Sequence, residues 1–341
     1  MQPDPRLLES ARRILIIRRD NIGDLLLTTP LIAAVRHASP EATVAVLATS
    51  YNAPILAGNT DIDAVYRYTK AKHSDRPRIA AWVDEARVFM NLRRQHFDLL
   101  IHANPVPHPR TGRLARFINA RARLGVVGEG ERKSGFNLPL KPSELEGTHH
   151  TERVFSLLKP LGVEGSAGPL KLSAPAPGGE VPVLPNAGPH PLIGIQLSSR
   201  KRCNRWPEQS YAALIEALLK HGYDVALFWA PGAEDDPRHP GDDGLAQRLH
   251  ARQPQTLAMP TRTLPALVGA LAQVDAMITP DGGALHIAAA LGKPTVALFG
   301  CTDPAIWGPW QVPHRICRGE TSATDIDPLQ VEQALAELLD A

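Results

Sequence analysis

Short runs of apolar, β-branched residues separated by helical patterns constrain the fold of this chain more than any other feature. The runs lack polar alternation, as expected for parallel strands buried on both faces, and occupy residues 14–17, 43–49, 97–103, 191–198, 224–230, 275–279 and 294–300. Helical periodicity follows at residues 31–38, 78–95, 208–221, 243–251, 264–272, 284–291 and 328–339. Alternating β and α elements of this length predict an α/β protein with parallel sheets and crossover helices.

One segment, residues 173–191, breaks this alternation because it is rich in proline and glycine and has no helical period. It is therefore interpreted as an extended linker between an N-terminal domain, residues 1–172, and a C-terminal domain, residues 192–341. Two doubly wound domains would place a cleft between them, with the carboxyl ends of the strands facing it, where such sheets bind ligands. The last helix, 328–339, could pack back on the N-terminal domain.

Charge is divided unequally along the chain. Residues 1–172 hold 25 Lys and Arg against 17 Asp and Glu, whereas the remainder holds 12 against 18. A basic half beside an acidic one indicates that the first half meets an acidic partner, although surface charge can also vary without function. An aromatic content of 5% and the lack of a known module argue against nucleic-acid binding.

The cysteines and the apolar runs indicate the cellular compartment in which the protein acts. Three cysteines without a C-x-x-C spacing predict no disulfide framework, as is typical of a reducing cytosol. The N-terminus lacks an apolar signal segment, and no run approaches the length of a membrane span. We expect a soluble protein or one attached peripherally to a membrane surface.

The stretch "ITPDGGALHIAAALG" in the second half predicts an anion site. Asp281, Gly282 and Gly283 follow a strand and open a helix, whose free N–H groups and dipole favour a phosphate. Neither a Walker motif nor a G-x-G-x-x-G fingerprint is present. An ordinary strand-to-helix turn with Asp281 as N-cap is the alternative.

A second turn, "SSRKRCNRWP", strengthens the prediction of a diphosphate site. The hydroxyls of Ser198 and Ser199 and the cations of Arg202 and Arg205 follow a strand in an otherwise acidic half. An exposed basic loop before a helix is the competing interpretation. Two further turns add weaker candidates, with Glu234 for ribose hydroxyls and Arg262 beside a base pocket.

Three motifs in this order resemble the family 9 glycosyltransferases, the ADP-heptose:lipopolysaccharide heptosyltransferases. They are "R-x-x-x-x-G-D-x-x-x-T-x-P" from Arg18, the "R-W-P" at Arg205, and "P-D-G-G-A-L-H-I-A-A-A-L-G-K-P-T-V-A-L-F-G-x-T-D-P" from Pro280. The resemblance runs from about residue 13 to 340. It implies the GT-B architecture, with the acceptor on the N-terminal domain and the nucleotide-sugar on the C-terminal one.

The resemblance also implies roles for individual residues. Asp24 is the expected general base, which takes a proton from the acceptor hydroxyl, an ordinary role for a carboxylate. A plain helix N-cap is the alternative role for Asp24. Arg18 and Asn21 are expected around the acceptor or its turn, and Gly23 is expected to let the turn expose the Asp24 carboxylate to the acceptor. A family lysine that holds the donor phosphates is replaced here by Asn204, and Arg202 or Arg205 could supply the missing charge.

The basic stretch 108–125 has Arg110 and Arg113 at helical spacing. The two arginines could contact an acidic acceptor or could equally lie on a solvated helix face.

The implied reaction is inverting transfer of heptose from ADP-heptose to an acidic lipopolysaccharide core. Thr302, Asp281 and His286 would help to hold the donor, although His286 could equally be a packed helix residue. No His, Cys and carboxylate cluster has metal-ligand spacing, so no bound metal, Mg²⁺ included, and no separate cofactor are expected.

The expected partners are the nucleotide-sugar, a lipopolysaccharide core glycolipid and the inner membrane, on whose cytoplasmic face the protein would act. Two alternatives stay open: a GT-B enzyme for another nucleotide-sugar, such as an epimerase, and a nucleotide-binding scaffold without turnover. A dehydrogenase is disfavoured because the first strand-to-helix turn lacks a glycine triplet. The acceptor, its modified hydroxyl and the heptose epimer are not predicted.

Overall fold

A computed structural model describes residues 4–70, 78–130, 134–185, 190–236 and 241–340 of the chain. The chain divides into two compact units, Met1–Lys171 and Leu172–Ala341. Each unit contains one parallel six-stranded sheet with helices connecting its strands. The predicted α/β fold with two doubly wound domains is confirmed.

The first unit carries a sheet whose strand order is β3-β2-β1-β4-β5-β6. Its strands are β1 Arg13–Ile17, β2 Thr43–Thr49, β3 Ala64–Tyr68, β4 Leu99–His102, β5 Ala122–Val126 and β6 Leu138–Leu140. Its α-helices are α1 Leu7–Ser10, α2 Ile22–Leu26, α3 Thr29–Ala38, α4 Arg78–Arg94, α5 Pro109–Ile118 and α6 His150–Phe155.

The second unit repeats the same arrangement with the order β12-β11-β10-β7-β8-β9. Its strands are β7 Leu192–Gln196, β8 Asp224–Trp229, β9 Leu257–Pro260, β10 Ala276–Pro280, β11 Thr295–Phe299 and β12 His314–Arg318. Its α-helices are α7 Glu208–Lys220, α8 Asp243–Arg252, α9 Leu264–Leu271, α10 Gly283–Ala290, α11 Pro304–Trp307 and α12 Pro328–Leu339.

The central strands form the core because both of their faces are covered. Every residue of β4, β7, β10 and β11 is buried, which explains their continuous apolar sequences. In the first unit, β1 pairs in parallel with β2 and β4. In the second, β7 pairs in the same way with β8 and β10.

Each sheet reverses its strand order at one junction, β1 beside β4 in the first unit and β7 beside β10 in the second. Connections from the two strands at such a junction leave to opposite sides, so a crevice opens at their carboxyl ends. This topology places the residues after Ile17 and His102 together, and likewise those after Gln196 and Pro280.

The proline- and glycine-rich segment lies on the second unit as far as Pro185, where its description ends. Gly178 and Val181 form an isolated antiparallel bridge, and Val181 packs against Gly269 of α9. Gln273, just after α9, accepts a hydrogen bond from the Leu184 backbone. No helix occurs in residues 173–185.

The last helix, α12, belongs to the core of the second unit. Val331, Leu335 and Leu338 are buried there, in one cluster with residues of α7, β11 and β12. The sequence had suggested that this helix could pack on the N-terminal domain, but its buried residues belong to the core of the second unit. Among the described residues, no helix combines the length and apolar character needed to cross a membrane.

Candidate functional site

Asp24 lies one turn into a short helix that begins at the β1/β4 junction. Asn21 is the N-cap of α2, and Asp24 is its third helical residue. The backbone N–H of Asn21 donates to Asp24 Oδ2 at 3.1 Å, and Asn21 Nδ2 donates to the same oxygen at 2.7 Å. These bonds close the first turn of the helix and orient the carboxylate.

The other carboxylate oxygen of Asp24 is held by a buried arginine. Arg18 Nη2 donates to Asp24 Oδ1 at 2.7 Å and lies 2.9 Å from His150 Nε2. Arg18 Nη1 donates to the carbonyl of Ala103, which follows β4, and Arg18 Nε lies 3.3 Å from Asp20 Oδ2. We call this group, Arg18, Asp20, Asn21, Asp24 and His150, the Asp24 cluster.

Burial and charge act in opposite directions on the carboxyl group of Asp24. Burial raises its pKa, but the Arg18 guanidinium, His150 and the two bonds from Asn21 together bring the pKa below its ordinary value. The side chain retains 12% exposure. The Asp24 carboxylate is therefore ionised and oriented, and a small part of it is exposed.

Sequence reasoning missed two histidines at this edge. His150 of α6 lies 3.8 Å from Asp24 Oδ1, and its link to Arg18 spans 132 residues of sequence. His102, the last residue of β4, is buried and stacks on Phe136 at 5.7 Å. Burial, together with nearby Arg18, holds its pKa well below the usual value, so the ring is neutral. Only the chain topology brings these residues to the edge.

The acceptor candidates differ in position. Gly23 is a buried residue inside α2 with no positive φ. The expectation that this glycine lets the turn expose Asp24 is therefore wrong. Arg110 and Arg113 lie on the exposed face of α5. The buried face of α5 carries Thr111, which accepts a hydrogen bond from Arg19 at 2.9 Å.

In the second unit, Asp281 follows β10 and anchors a hydrogen-bonded group at the β7/β10 junction. Asn204 Nδ2 donates to Asp281 Oδ2 at 3.0 Å, and Thr302 Oγ1 donates to the same oxygen at 2.8 Å. Ser199 Oγ donates to the Asp281 carbonyl, and Gly300 N–H donates to Asn204 Oδ1. These residues, Ser199, Asn204, Asp281, Gly300 and Thr302, form the Asp281 cluster.

Asn204, at the position where the resemblance implies a lysine, supplies a neutral donor to Asp281. Its side chain has no exposed surface and is bonded to Asp281, Thr302 and Gly300. Asn204 therefore ties three loops together and places no charge toward a ligand. The cations predicted to compensate lie nearby, Arg202 exposed and Arg205 partly buried.

Ser198 and Arg205 are both tied to Asp242, which sequence reasoning did not single out. Ser198 Oγ donates to Asp242 Oδ2 and accepts from the backbone N–H of Ala230 at 2.9 Å. Arg205 Nη1 lies 3.6 Å from Asp242 Oδ1. Burial raises the pKa of Asp242, although Ser198 and Arg205 oppose that shift.

Gly282 leaves open space at the start of α10, whose first residue is Gly283. Gly282 is the N-cap, in place of Asp281, and its φ of 166° is extended backbone that any residue adopts. A Cβ built on Gly282 would have no neighbour nearer than the Pro280 carbonyl at 3.9 Å. Packing therefore does not require this glycine, and a ligand could approach the helix N-terminus there.

The remaining donor candidates are spread over the same unit. His286 is buried on α10 with its ring 6.5 Å from that of Trp307. Glu234 is exposed and paired with Arg248 at 3.3 Å. Arg262 is exposed just before α9. Within the described residues, no hydrogen bond or ion pair joins Glu234 or Arg262 to the Asp281 cluster, so their roles stay predictions.

The prediction of no disulfide is wrong, because Cys203 and Cys301 are bonded with their Cα atoms 5.7 Å apart. The two cysteines are 98 residues apart, but both follow strands whose carboxyl ends share one edge of the sheet. Gly300 permits the approach, since a Cβ there would lie 1.9 Å from the Cys203 carbonyl oxygen. The bond joins the loops that carry Asn204 and Thr302.

Within the described part of the chain, no group of three or more His, Cys, Asp or Glu residues could hold a metal ion. The chemistry available is that of an ionised carboxylate in one unit and of a helix N-terminus with hydroxyls and arginines in the other. The first can accept a proton, and the second can bind an anion.

The sequence of the chain matches a known family over most of its length. Residues 86–333 match the family described as glycosyltransferase family 9 (heptosyltransferase). Lipopolysaccharide heptosyltransferase 3 of Escherichia coli is 30% identical over 295 residues, which cover 84% of this chain and 83% of that protein. Lipopolysaccharide heptosyltransferase 2 of Salmonella typhimurium is 31% identical over 44% of this chain and 47% of its own length.

Solved structures share the fold of the whole chain. A family 9 glycosyltransferase from Veillonella parvula covers 97% of this chain and 98% of its own, with a TM-score of 0.79 at 20% identity. The E. coli heptosyltransferase WaaC with ADP covers 96% of this chain and 98% of its own, with a TM-score of 0.75 at 20% identity. The predicted GT-B fold class is confirmed.

Proposed function

Because the chain belongs to glycosyltransferase family 9, the heptosyltransferases, we propose that it transfers a heptose from ADP-heptose to an acidic acceptor of the lipopolysaccharide inner core. Transferase activity itself follows from the family. The relatives named as lipopolysaccharide heptosyltransferases support the acceptor class. The relative solved with ADP supports the donor.

The proton acceptor in this proposal is Asp24. A sugar hydroxyl becomes a competent nucleophile only as its proton leaves, and a carboxylate within hydrogen-bond reach can take that proton. Arg18 and Asn21 keep the Asp24 carboxylate ionised and fix both of its oxygens. The proposal depends on one observation: an ionised and oriented carboxylate lies where the strand order of the first sheet reverses.

The donor diphosphate would bind at the start of α10. Gly282 leaves room for close approach, the helix N-terminus favours negative charge, and Arg202 and Arg205 lie in the loop after β7. Negative charge grows on the diphosphate as the glycosidic bond breaks, so its stabilisation is the largest electrostatic demand. Asn204 contributes by holding Asp281 and Thr302 in place.

The acceptor oxygen would attack the anomeric carbon through an oxocarbenium-like state. The new glycosidic bond forms on the face opposite the departing ADP, which inverts the anomeric configuration, and the hydroxyl proton passes to Asp24. The proposal includes no metal and no cofactor. Contact with the cytoplasmic face of the inner membrane, where a glycolipid acceptor is anchored, belongs to the same proposal.

The test is a transfer assay with the full chain, ADP-heptose and a panel of truncated lipopolysaccharide cores. We expect acceptor-dependent ADP release and an acceptor that gains the mass of one heptose. Thermal-shift titration with ADP-, UDP- and GDP-sugars identifies the donor. Stabilisation by UDP- or GDP-sugars alone would show that the protein catalyses another transferase reaction. If ADP bound but no core caused ADP release from ADP-heptose, the protein would be a non-catalytic nucleotide-binding scaffold.

A further inference from the structure

Helix α4 of the first unit presents large apolar side chains to solvent as well as to the core. Its inner face packs on the sheet through Ala81 and Leu92, which are buried. Its outer face carries Ile79, Trp82, Val83 and Met90, with 73, 62, 44 and 42% of their surfaces exposed. At 100° per residue these four positions fall on one side of the helix.

This outer face is also basic. Arg87 and Arg94 are exposed and lie at the same side of α4 as Val83 and Met90. Arg93 borders the stripe, where it donates to the Phe117 carbonyl and its guanidinium lies 5.3 Å from the Phe117 ring. The acidic residues of α4, Asp84 and Glu85, are only partly exposed and lie toward the sheet side of the helix.

The apolar stripe continues onto one neighbouring helix. Phe117 of α5, which Arg93 contacts, is 40% exposed. With the four residues of α4 it makes five of the ten exposed large hydrophobic side chains in the described parts of the chain. We call these five residues, with Arg87 and Arg94, the α4 face.

The α4 face reaches the edge of the sheet that carries Asp24. Helix α4 ends shortly before β4 begins, so Arg94 lies near the amino edge of the sheet. The helix therefore runs antiparallel to the strands, and Ile79 and Trp82 lie toward the carboxyl edge.

We propose that the α4 face is a docking surface for an anionic phospholipid bilayer. A bilayer interface offers hydrocarbon to Ile79, Val83 and Met90, a headgroup layer that suits a tryptophan, and phosphates to Arg87 and Arg94. Charge favours this occupant, because the first half of the chain carries 25 basic against 17 acidic residues. This inference rests on the proposed function, since a lipid-anchored acceptor must present its sugars near Asp24.

The test is sedimentation of the full chain with vesicles of phosphatidylethanolamine and phosphatidylglycerol, or of phosphatidylcholine alone. One double variant, Ile79→Ser with Trp82→Ser, removes apolar surface, and another, Arg87→Glu with Arg94→Glu, reverses charge. The matched control, Val183→Ser with Leu329→Ser, removes exposed apolar side chains of the second unit, 69% and 63% exposed. Unfolding temperatures verify that all variants fold.

We expect the wild type and the control to bind the phosphatidylglycerol vesicles, more weakly as salt rises. Each α4-face variant should bind at least about tenfold more weakly. Equal binding by all proteins, no preference for anionic vesicles, or no binding by the wild type would overturn the proposal. So would a wild-type dimer that only the α4-face variants lose, because the face would then join two copies of the chain.

A delipidated core oligosaccharide separates this inference from the proposed function. The α4-face variants should transfer heptose to the soluble acceptor as the wild type does and lose at least about tenfold in rate on vesicle-embedded acceptor. If the wild type transfers to neither acceptor, the proposed function fails, while vesicle binding still decides the docking surface.

Discussion

Arg18 donates a 2.7 Å hydrogen bond to Asp24 and is itself only 2% exposed. A guanidinium removed from water this completely needs a carboxylate beside it, and the carboxylate in turn stays ionised. The pairing makes Asp24 available as a proton acceptor at neutral pH, but it also makes the group a weak base. Orientation of Asp24 therefore contributes more to the proposed reaction than intrinsic basicity.

Removing the Asp24 carboxylate should stop transfer without affecting the donor. We expect Asp24→Asn and Asp24→Ala to lower the transfer rate by about 10²- to 10⁴-fold, because no group would accept the hydroxyl proton. ADP affinity, measured by titration calorimetry, should stay within about twofold of wild type. Glu129→Gln, at a surface glutamate, is the control. Transfer at the wild-type rate would exclude Asp24 as the base.

The ion pair of Asp24 should make stability depend on pH. The pKa of Asp24 is lower in the folded protein than in the unfolded chain. The ionised carboxylate therefore stabilises the protein fully at a pH above the ordinary Asp pKa of about 3.9. This stabilisation is lost progressively as the pH falls through the lowered pKa of the folded state. Near neutral pH, the free energy of unfolding of the wild type should exceed that of Asp24→Asn by about 3 kcal/mol.

Urea unfolding of the wild type and Asp24→Asn across the acid range measures this difference. The stability gap should be constant from neutral pH to about pH 5 and should narrow below about pH 4. A gap that is the same at both ends of the range would mean that the pair does not govern the stability.

Two glycines of the second unit should respond differently to alanine. Gly282→Ala should leave the free energy of unfolding within about 0.5 kcal/mol, since its new Cβ would have only the Pro280 carbonyl at 3.9 Å, yet should weaken ADP binding. Gly300→Ala should destabilise, because its Cβ would fall 1.9 Å from the Cys203 carbonyl oxygen. Unfolding temperature and ADP titration compare them. If Gly282→Ala bound ADP as tightly as the wild type, the donor would not bind at the start of α10.

The cysteines should differ in reactivity. Without reductant, iodoacetamide should modify neither Cys203 nor Cys301, which are bonded to each other, and should react slowly with Cys317, since burial raises the pKa of that thiol to about 11. After reduction, Cys203 and Cys301 should be alkylated first, as peptide mass spectrometry will detect.

Reduction should also lower the unfolding temperature of the oxidised protein. The disulfide closes a loop of 98 residues, and a bond of this kind stabilises the folded state by at most about 4–5 kcal/mol. Cys203→Ser with Cys301→Ser should show no such change, and Cys317→Ser should behave as wild type. Rapid alkylation of Cys203 before reduction would contradict the disulfide.

The sequence predicted the central strands well and several outer ones not at all. Strands β1, β4, β7 and β10 are buried on both faces, so they appear as continuous apolar runs. Four of the missed strands, β3, β6, β9 and β12, lie at sheet edges, where strands face water and the apolar signal is weak. The fifth, β5, is an interior and mostly buried strand whose apolar run is interrupted by Arg123 and Gly125.

The candidate site was predictable where a local motif carries it. Asp24, Asp281 and Gly282 each follow a strand in a recognisable turn. His150 and Asp242 were missed because only the fold brings them to Arg18 and Arg205, across long separations in sequence. The cysteine pair was missed for the same reason.

The repeated strand order has an evolutionary and practical consequence. The five residues of the Asp24 cluster all belong to the first unit, and the five residues of the Asp281 cluster all belong to the second. Under the proposed function, substitutions in the first unit would change acceptor preference and substitutions in the second would change donor preference, so the two could diverge separately within a lineage. Chimaeras of related enzymes joined between Lys171 and Leu172 would then exchange one preference while keeping the other.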